Sequence, residues 1–397
     1  MLTTHSPTVD RPARRHRAIA LILGGLLGAC TSDPITAPEG ALNDAAVESA
    51  QASVENHSDD ATIQINNRFA YVWADQPSPA IGVWYTPQTS FSHNARGYTN
   101  RVRRNAIGHY EVSFNAMLHP NAPNEKVTLL VTAYGSTLSR CFIRKWGQNN
   151  ANTLVASVGC ISPSGAFADA RFTLLFVGNN TLLGRSGFAR AQKAGVASYT
   201  PYGPWSHNSG GGPITASRFG TGVYQMDLSL PRPPGGLPEN YFITTVTGSG
   251  GTHCNNGGWG STVGVRCYSR FTGAPADAQY NALLVEQGRT GKRLGFAWAN
   301  SPTSPSYTPS TSYSRNSSGG GISILRSGTG QYRVSFSGLM KLSGHTENVQ
   351  VSAYTGGFVF CNVVNWGNSA SGLDVNVECR SRTGALVDNF FTVLVIE

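Results

Sequence analysis

The stretch CFIRKWG (residues 141–147) returns as CNNGGWG (254–260) and again as CNVVNWG (361–367). Three times a cysteine is followed, five residues later, by Trp-Gly. Working outward, each copy sits in the same setting. Upstream stands Tyr-Thr-Pro, three residues, an aromatic, Ser, His or Arg, and Asn: YTPQTSFSHN (85–94), YTPYGPWSHN (199–208) and YTPSTSYSRN (307–316). Fourteen residues after each Asn a glycine begins Gly-x-Tyr, at Gly108, Gly222 and Gly330. Downstream come a second cysteine and then Ser/Thr-Gly-Ala. An Asp follows the Ala by three positions and an aromatic follows the Asp by three: Asp169/Phe172, Asp277/Tyr280, Asp388/Phe391. Each unit is read as opening on Phe-Ala, at Phe69, Phe188 and Phe296. Marks in one order at near-constant offsets make the chain a threefold internal repeat, roughly 69–177, 188–285 and 296–396.

The local pattern is β. GQYRVSFSG puts Tyr332, Val334 and Phe336 on one face, and LDVNVEC does the same with Leu373, Val375, Val377 and Cys379. TLLFV, ALLV and TVLVI near the unit ends are continuously apolar, as strands covered on both sides are. Gly, Ser, Asn and Pro punctuate these runs, and no long helical period occurs. We therefore expect an all-β protein. It would hold three tandem β-sandwich or jelly-roll-like repeats of about 100 residues, seven or eight strands each. The divisions fall at 67–180, 181–290 and 291–397. Two arrangements stay open. The units form a string, or hairpin links at 178–187 and 286–295 cross the boundaries and the strands of Phe69 and Phe391 close a pseudo-threefold ring.

Six cysteines pair within units: Cys141/Cys160, Cys254/Cys267 and Cys361/Cys379. Each pair places one cysteine in either arm of a hairpin, where a disulfide closes naturally. No Cys-x-x-Cys or His pair accompanies them, so neither metal nor cofactor is expected. Trp146, Trp259 and Trp366 are expected to pack over the disulfide and the core. Each closing Asp is expected to accept backbone N–H bonds and fix a loop. It has no companion carboxylate for glycoside hydrolysis. No nucleophile elbow, zinc-protease helix or phosphate loop is present, and the triple glycines at 210–212 and 319–321 lack the Lys that a phosphate loop needs. An enzyme is not expected. The candidate ligand residues lie in the Tyr-Thr-Pro elements: Tyr85, Phe91, His93 and Asn94; Tyr199, Trp205, His207 and Asn208; Tyr307, Tyr313, Arg315 and Asn316. Aromatic, basic and amide side chains on repeated loops suit sugar or anion recognition. The alternative is that they set a bend and fill the core.

The N-terminus adds a location. Arg11, Arg14, Arg15 and Arg17 precede an apolar run at 18–30, the form of an export signal. Its end, Leu27, Gly28, Ala29 and Cys30, resembles the lipobox of bacterial lipoproteins. That resemblance implies removal of 1–29, acylation of Cys30 and, with Thr31 next, the outer membrane. Residues 30–66 then form a tether with seven acids and no Lys or Arg. Of 30 basic and 21 acidic residues, 26 and 13 fall in 67–397, a net +13 that favours polysaccharide or another polyanion. Nothing points to specific nucleic-acid recognition, and oligomeric state is not read from the sequence. The repeats are similar to tandem β domains of uncharacterised secreted bacterial proteins, a resemblance that implies no activity. The expected function is non-catalytic binding of glycan or polyanion at the cell envelope. The other class is a structural or adhesion protein acting through protein contacts.

Overall fold

Alternating side chains become strands throughout. The computed structural model describes residues 68–118, 126–149, 152–178, 185–230, 238–248, 250–259, 262–286, 293–340, 347–354 and 356–396. The signal, Cys30 and the acidic tether lie outside them. The first unit holds β1 (Phe69–Ala74), β2 (Trp84–Tyr85), β3 (Ser92–Asn94), β4 (Arg101–Ala106), β5 (His109–Phe114), β6 (Val127–Tyr134), β7 (Arg140–Asn149), β8 (Thr153–Ile161) and β9 (Arg171–Gly178). The second holds β10 (Gly187–Ala191), β11 (Ser198–Tyr199), β12 (Ser206–Asn208), β13 (Thr215–Gly220), β14 (Val223–Asp227), β15 (Glu239–Val246), β16 (Thr252–Trp259), β17 (Val263–Ser269) and β18 (Gln279–Glu286). The third holds β19 (Leu294–Ala299), β20 (Ser306–Tyr307), β21 (Arg315–Asn316), β22 (Ile322–Gly328), β23 (Gln331–Ser337), β24 (Asn348–Tyr354), β25 (Val359–Asn368), β26 (Gly372–Ser381) and β27 (Phe390–Ile396). Nine strands per unit exceed the expected seven or eight, because two- and three-residue strands flank each Tyr-Thr-Pro element.

Each unit is a sandwich of a four-stranded and a five-stranded sheet, such as β3-β1-β9-β6 over β2-β4-β5-β8-β7. Side chains from both sheets fill one core per unit. The three disulfides join cysteines directly opposite in the hairpins β7–β8, β16–β17 and β25–β26, with Cα atoms 4.0–4.1 Å apart. Closing a loop of this length stabilises by about 3 kcal/mol in the chain-entropy treatment. A Cys254→Ser/Cys267→Ser double variant should therefore melt about 4 °C lower by calorimetry.

The sheets do not stop at unit boundaries. Parallel contacts join β7 to β15 at Ile143 and Val246, β16 to β24 at Asn256 and Tyr354, and β25 to β6 at Val363 and Tyr134. Three nine-stranded sheets result, each built from two units. The third unit thus pairs back onto the first, and the described chain is a closed pseudo-threefold ring. The strands expected to close it do not: β1 pairs with β9 and β27 with β19, both inside their own units. Those strands form the inner lining instead.

That lining explains the continuous apolar runs. In β9, Leu174 and Phe176 face the unit's own core, whereas Leu175 and Val177 face a central cluster shared by all three units. Leu283 and Val285 in β18, and Leu394 and Ile396 in β27, repeat the arrangement. Tyr71, Phe188 and Phe296 join them, paired across strands with Leu175, Leu283 and Leu394. This register corrects the opening mark of the repeat. The counterpart of Phe188 is Tyr71, two residues beyond Phe69. A slip of two keeps every side chain on its face, so the pattern FAYV could not reveal it.

Polar groups close the same ring. Val131 N–H donates to Thr244 Oγ1 (3.2 Å), Ile243 N–H to Ser352 Oγ (3.0 Å) and Val351 N–H to Thr132 Oγ1 (3.0 Å). A second cycle runs from Thr173 Oγ1 to Val349 O, Asn281 Nδ2 to Leu129 O and Thr392 Oγ1 to Tyr241 O, at 2.7–3.2 Å. Each unit donates to one neighbour and accepts from the other, so these buried groups are satisfied only when all three units are present.

Candidate functional site

The Tyr-Thr-Pro elements lie at the joints. Asn94, Asn208 and Asn316 are buried turn caps. Their Oδ1 atoms accept from Arg96, Gly210 and Ser318 N–H, and their Nδ2 groups donate to backbone carbonyls 20–21 residues on. Phe91 stands edge-on to Trp73 (5.3 Å) and to Trp366 of the third unit (5.5 Å). Trp205 meets Trp146 of the first unit at 5.7 Å, and Arg190 lies over both rings. Tyr313 stands edge-on to Trp298 (5.4 Å), and its carbonyl accepts from Asn240 of the second unit. His93 and His207 cover Tyr71 and Phe188, and Arg315 opposes Phe296 in register. Burial, with Lys126 nearby, pushes His207 down to about 4. Tyr85 and Tyr307 pack on their unit cores, and the Tyr199 hydroxyl accepts from Lys193 N–H.

Two motifs of the repeat are therefore halves of one contact. Trp146 and Trp366, from the Cys-Trp-Gly elements, meet the aromatic of the next unit's Tyr-Thr-Pro element. Trp146 also joins its own core, as expected, but its role extends across the boundary. The Trp259 side chain lies outside the described set. Phe91, Trp205 and Tyr313 thus hold units together, while the other residues of the element pack or cap turns within their own units.

The closing acids are structural knots. Asp169 accepts from Arg104 Nε (2.9 Å) and Nη2 (2.6 Å), from Gly108 N–H (2.8 Å) and from the Tyr110 hydroxyl (3.2 Å). Asp277 holds Arg218, Gly222 and Tyr224 in the same way, and Asp388 holds Arg326, Gly330 and Tyr332. The guanidinium holds Asp277 and Asp388 below the usual carboxylate range. At Asp169 burial opposes, but the same donors outweigh it. The sequence reading missed the arginines, although each stands four residues before its Gly. Arg101, Arg103 and Arg104 stand close together in the sequence, and two of them are engaged: Arg104 serves Asp169, and Arg103 binds Glu111 and lies over Trp84.

One recess is not absorbed by the architecture. It opens on the outer face of the second unit's β13–β14–β17–β16 sheet, with a volume of about 460 Å³. Phe219 stands on its rim, 70% exposed. Gln225, Thr262 and Arg266 supply polar groups, with Gln225 donating to Thr262. Gly257, Gly258 and Gly264 make the floor. Gly257 sits at the bulge of β16, where a Cβ would come 2.8 Å from Arg266 Cγ. The bulge residue is Arg144 in the first unit and Val364 in the third. Only the second copy, CNNGGWG, leaves the floor bare, and that departure from the repeat was the available signal. No protein-family model, curated protein or solved structure matches this chain.

Proposed function

We propose that the protein is a non-catalytic binding protein for an anionic glycan, held at the outer face of a cell envelope by acylated Cys30. The recess of the second unit carries the reading: an exposed aromatic ring, an amide and a guanidinium surround a glycine floor wide enough for a sugar ring. Phe219 offers a stacking face, Gln225 and Thr262 offer hydrogen bonds, and Arg266 favours a carboxylate or sulfate. The net +13 of residues 67–397 would steer such a chain toward it. Three disulfides suit an oxidising compartment outside the cytoplasm. The repeated acids support the absence of catalysis, since each is held by an arginine.

The test is retention of residues 67–397 on carboxylated and sulfated polysaccharide columns at rising salt. Wild type should be retained at low salt and elute as screening grows. Phe219→Ala should weaken binding about tenfold, the worth of one stacked ring. Arg266→Ala should lower the salt needed for elution. No retention on any such column at low salt would remove the proposal, as would an unchanged Phe219→Ala.

A further inference from the structure

The inner axis carries a second cavity of different kind. The residue before the first cysteine of each disulfide occupies equivalent positions in the ring, yet the three copies differ: Arg140, His253 and Phe360. All three line a cavity of about 30 Å³, together with Thr132, Thr244 and Ser352 of the hydroxyl cycle and Cys141, Cys254 and Cys361. Every unit contributes the same positions to its wall, which places the cavity on the pseudo-threefold axis.

Arg140 is the anomaly. It is 4% exposed, and its Nε and Nη2 are buried with no hydrogen-bond partner. Its guanidinium lies over Phe358 (4.8 Å) and Phe360 (5.9 Å), which stabilise a cation but accept no directed bond. No described carboxylate bonds to it. The charges that act on it are Arg270 and Arg382, both positive, and with burial they push it down to about 10, still charged at neutral pH. His253 supplies no counter-charge: burial, with Arg140 beside it, pushes it down to about 3, and Nε2 donates to Val359 O at 3.1 Å. A buried cation with unmet donors and only like charges around it is strongly unfavourable.

The cavity also holds a free donor. Thr132 Oγ1 donates to Gln350 and Val351, and Ser352 Oγ donates to Ile243 O. The Thr244 hydroxyl accepts from Val131 N–H and finds no acceptor for its own proton among the described residues. The volume sets the size of what could answer these groups. It suits one water molecule or one monatomic ion. Water would satisfy donors but leave the charge uncompensated.

We propose that this cavity is a halide site, in which one chloride-class ion accepts from the Arg140 guanidinium and the Thr244 hydroxyl. The ion would touch walls from all three units and so stabilise the closed ring. Glycan binding at the outer recess is independent of it, and either reading can fail alone.

The test is thermal unfolding of the folded chain at constant ionic strength, exchanging sodium gluconate for sodium chloride or bromide. The melting temperature should rise by about 2 °C for each tenfold of halide above its dissociation constant. Sulfate stabilises by exclusion from the surface, so its effect at matched ionic strength should be the same in wild type and in Arg140→Met. Arg140→Met, an apolar replacement of similar length, should abolish the halide dependence. Should that variant not fold, crystals of the wild-type chain grown in bromide decide the matter by anomalous scattering. A bromide peak beside Arg140 supports the site, and a peak absent from the axial cavity overturns it. Halide dependence that persists in Arg140→Met, or none in the wild type, also overturns it.

Discussion

A chain ending at residue 290, which lacks the third unit, is expected to have no cooperative unfolding transition. Two of the three joints disappear with β24 and β25, leaving β16 and β6 with bare edges. The central cluster loses Leu294, Phe296, Leu394 and Ile396. At about 2 kcal/mol for each buried side chain, that loss is roughly 8 kcal/mol. The net stability of a folded protein is only about 5–15 kcal/mol. Thr132, Thr173 and Ile243 also lose their partners in the two polar cycles, leaving buried groups unsatisfied. Residues 67–397 should melt in one calorimetric transition, with calorimetric and van't Hoff enthalpies equal. Residues 67–290 should show broad, non-cooperative melting and poorly dispersed amide resonances. A string of independent domains predicts the reverse, a fragment that melts where the full chain does. That outcome would refute the closed ring.

What the sequence disclosed and what it hid follow from the same geometry. The repeat, the alternating strands and the cysteine hairpins involve neighbours close along the chain, and each left a local pattern. The doubly covered strands were legible too, because Leu174 and Leu175 needed different cores. The joints were not legible. The partner of Phe91 is Trp366, and the partner of Trp205 is Trp146; no spacing within one unit connects them. An aromatic and basic loop that packs on a neighbouring unit has the same composition as one that packs on a ligand, which is why Tyr85 to Asn94 and its copies read as a binding element. The arginines of the knots were hidden for another reason. Each looks like ordinary surface charge within its own unit, and only the constant four-residue distance to the repeated glycine, shared by all three copies, sets it apart. The recess could be found only as a break in the repeat. The bare Gly257 and Gly258 acquire meaning once the bulge of β16 and the exposed Phe219 are seen on one face.

The knots give the sharpest single-residue prediction. Gly222 has φ +66°, and a Cβ there would lie 2.2 Å from Cys267 O and 2.7 Å from Ala276 N. Both obstacles are backbone, fixed by the antiparallel pairing beside the disulfide, so neither can move aside cheaply. Cys267 N–H donates to Gly222 O, and Gly222 N–H donates to Asp277. Any shift that relieves the clash therefore breaks the knot at its centre. An alanine pays about 1 kcal/mol for the left-handed backbone alone, and the clash with the strand adds more. Gly222→Ala should cost about 4 kcal/mol, read as a lower urea midpoint at unchanged slope. Gly220→Ala is the control two residues away, where nothing lies within 4 Å of the added Cβ. It should stay within about 0.5 kcal/mol of wild type. Gly108 and Gly330 face the same carbonyls, Cys160 O at 2.5 Å and Cys379 O at 2.6 Å. In a ring that unfolds as one body, the three alanine variants should lose similar global stability, whichever unit carries the change. If Gly222→Ala lowered only part of the transition, the knot would be local and the ring would not couple its units. If it matched Gly220→Ala, the positive φ and the close carbonyl would have no energetic weight.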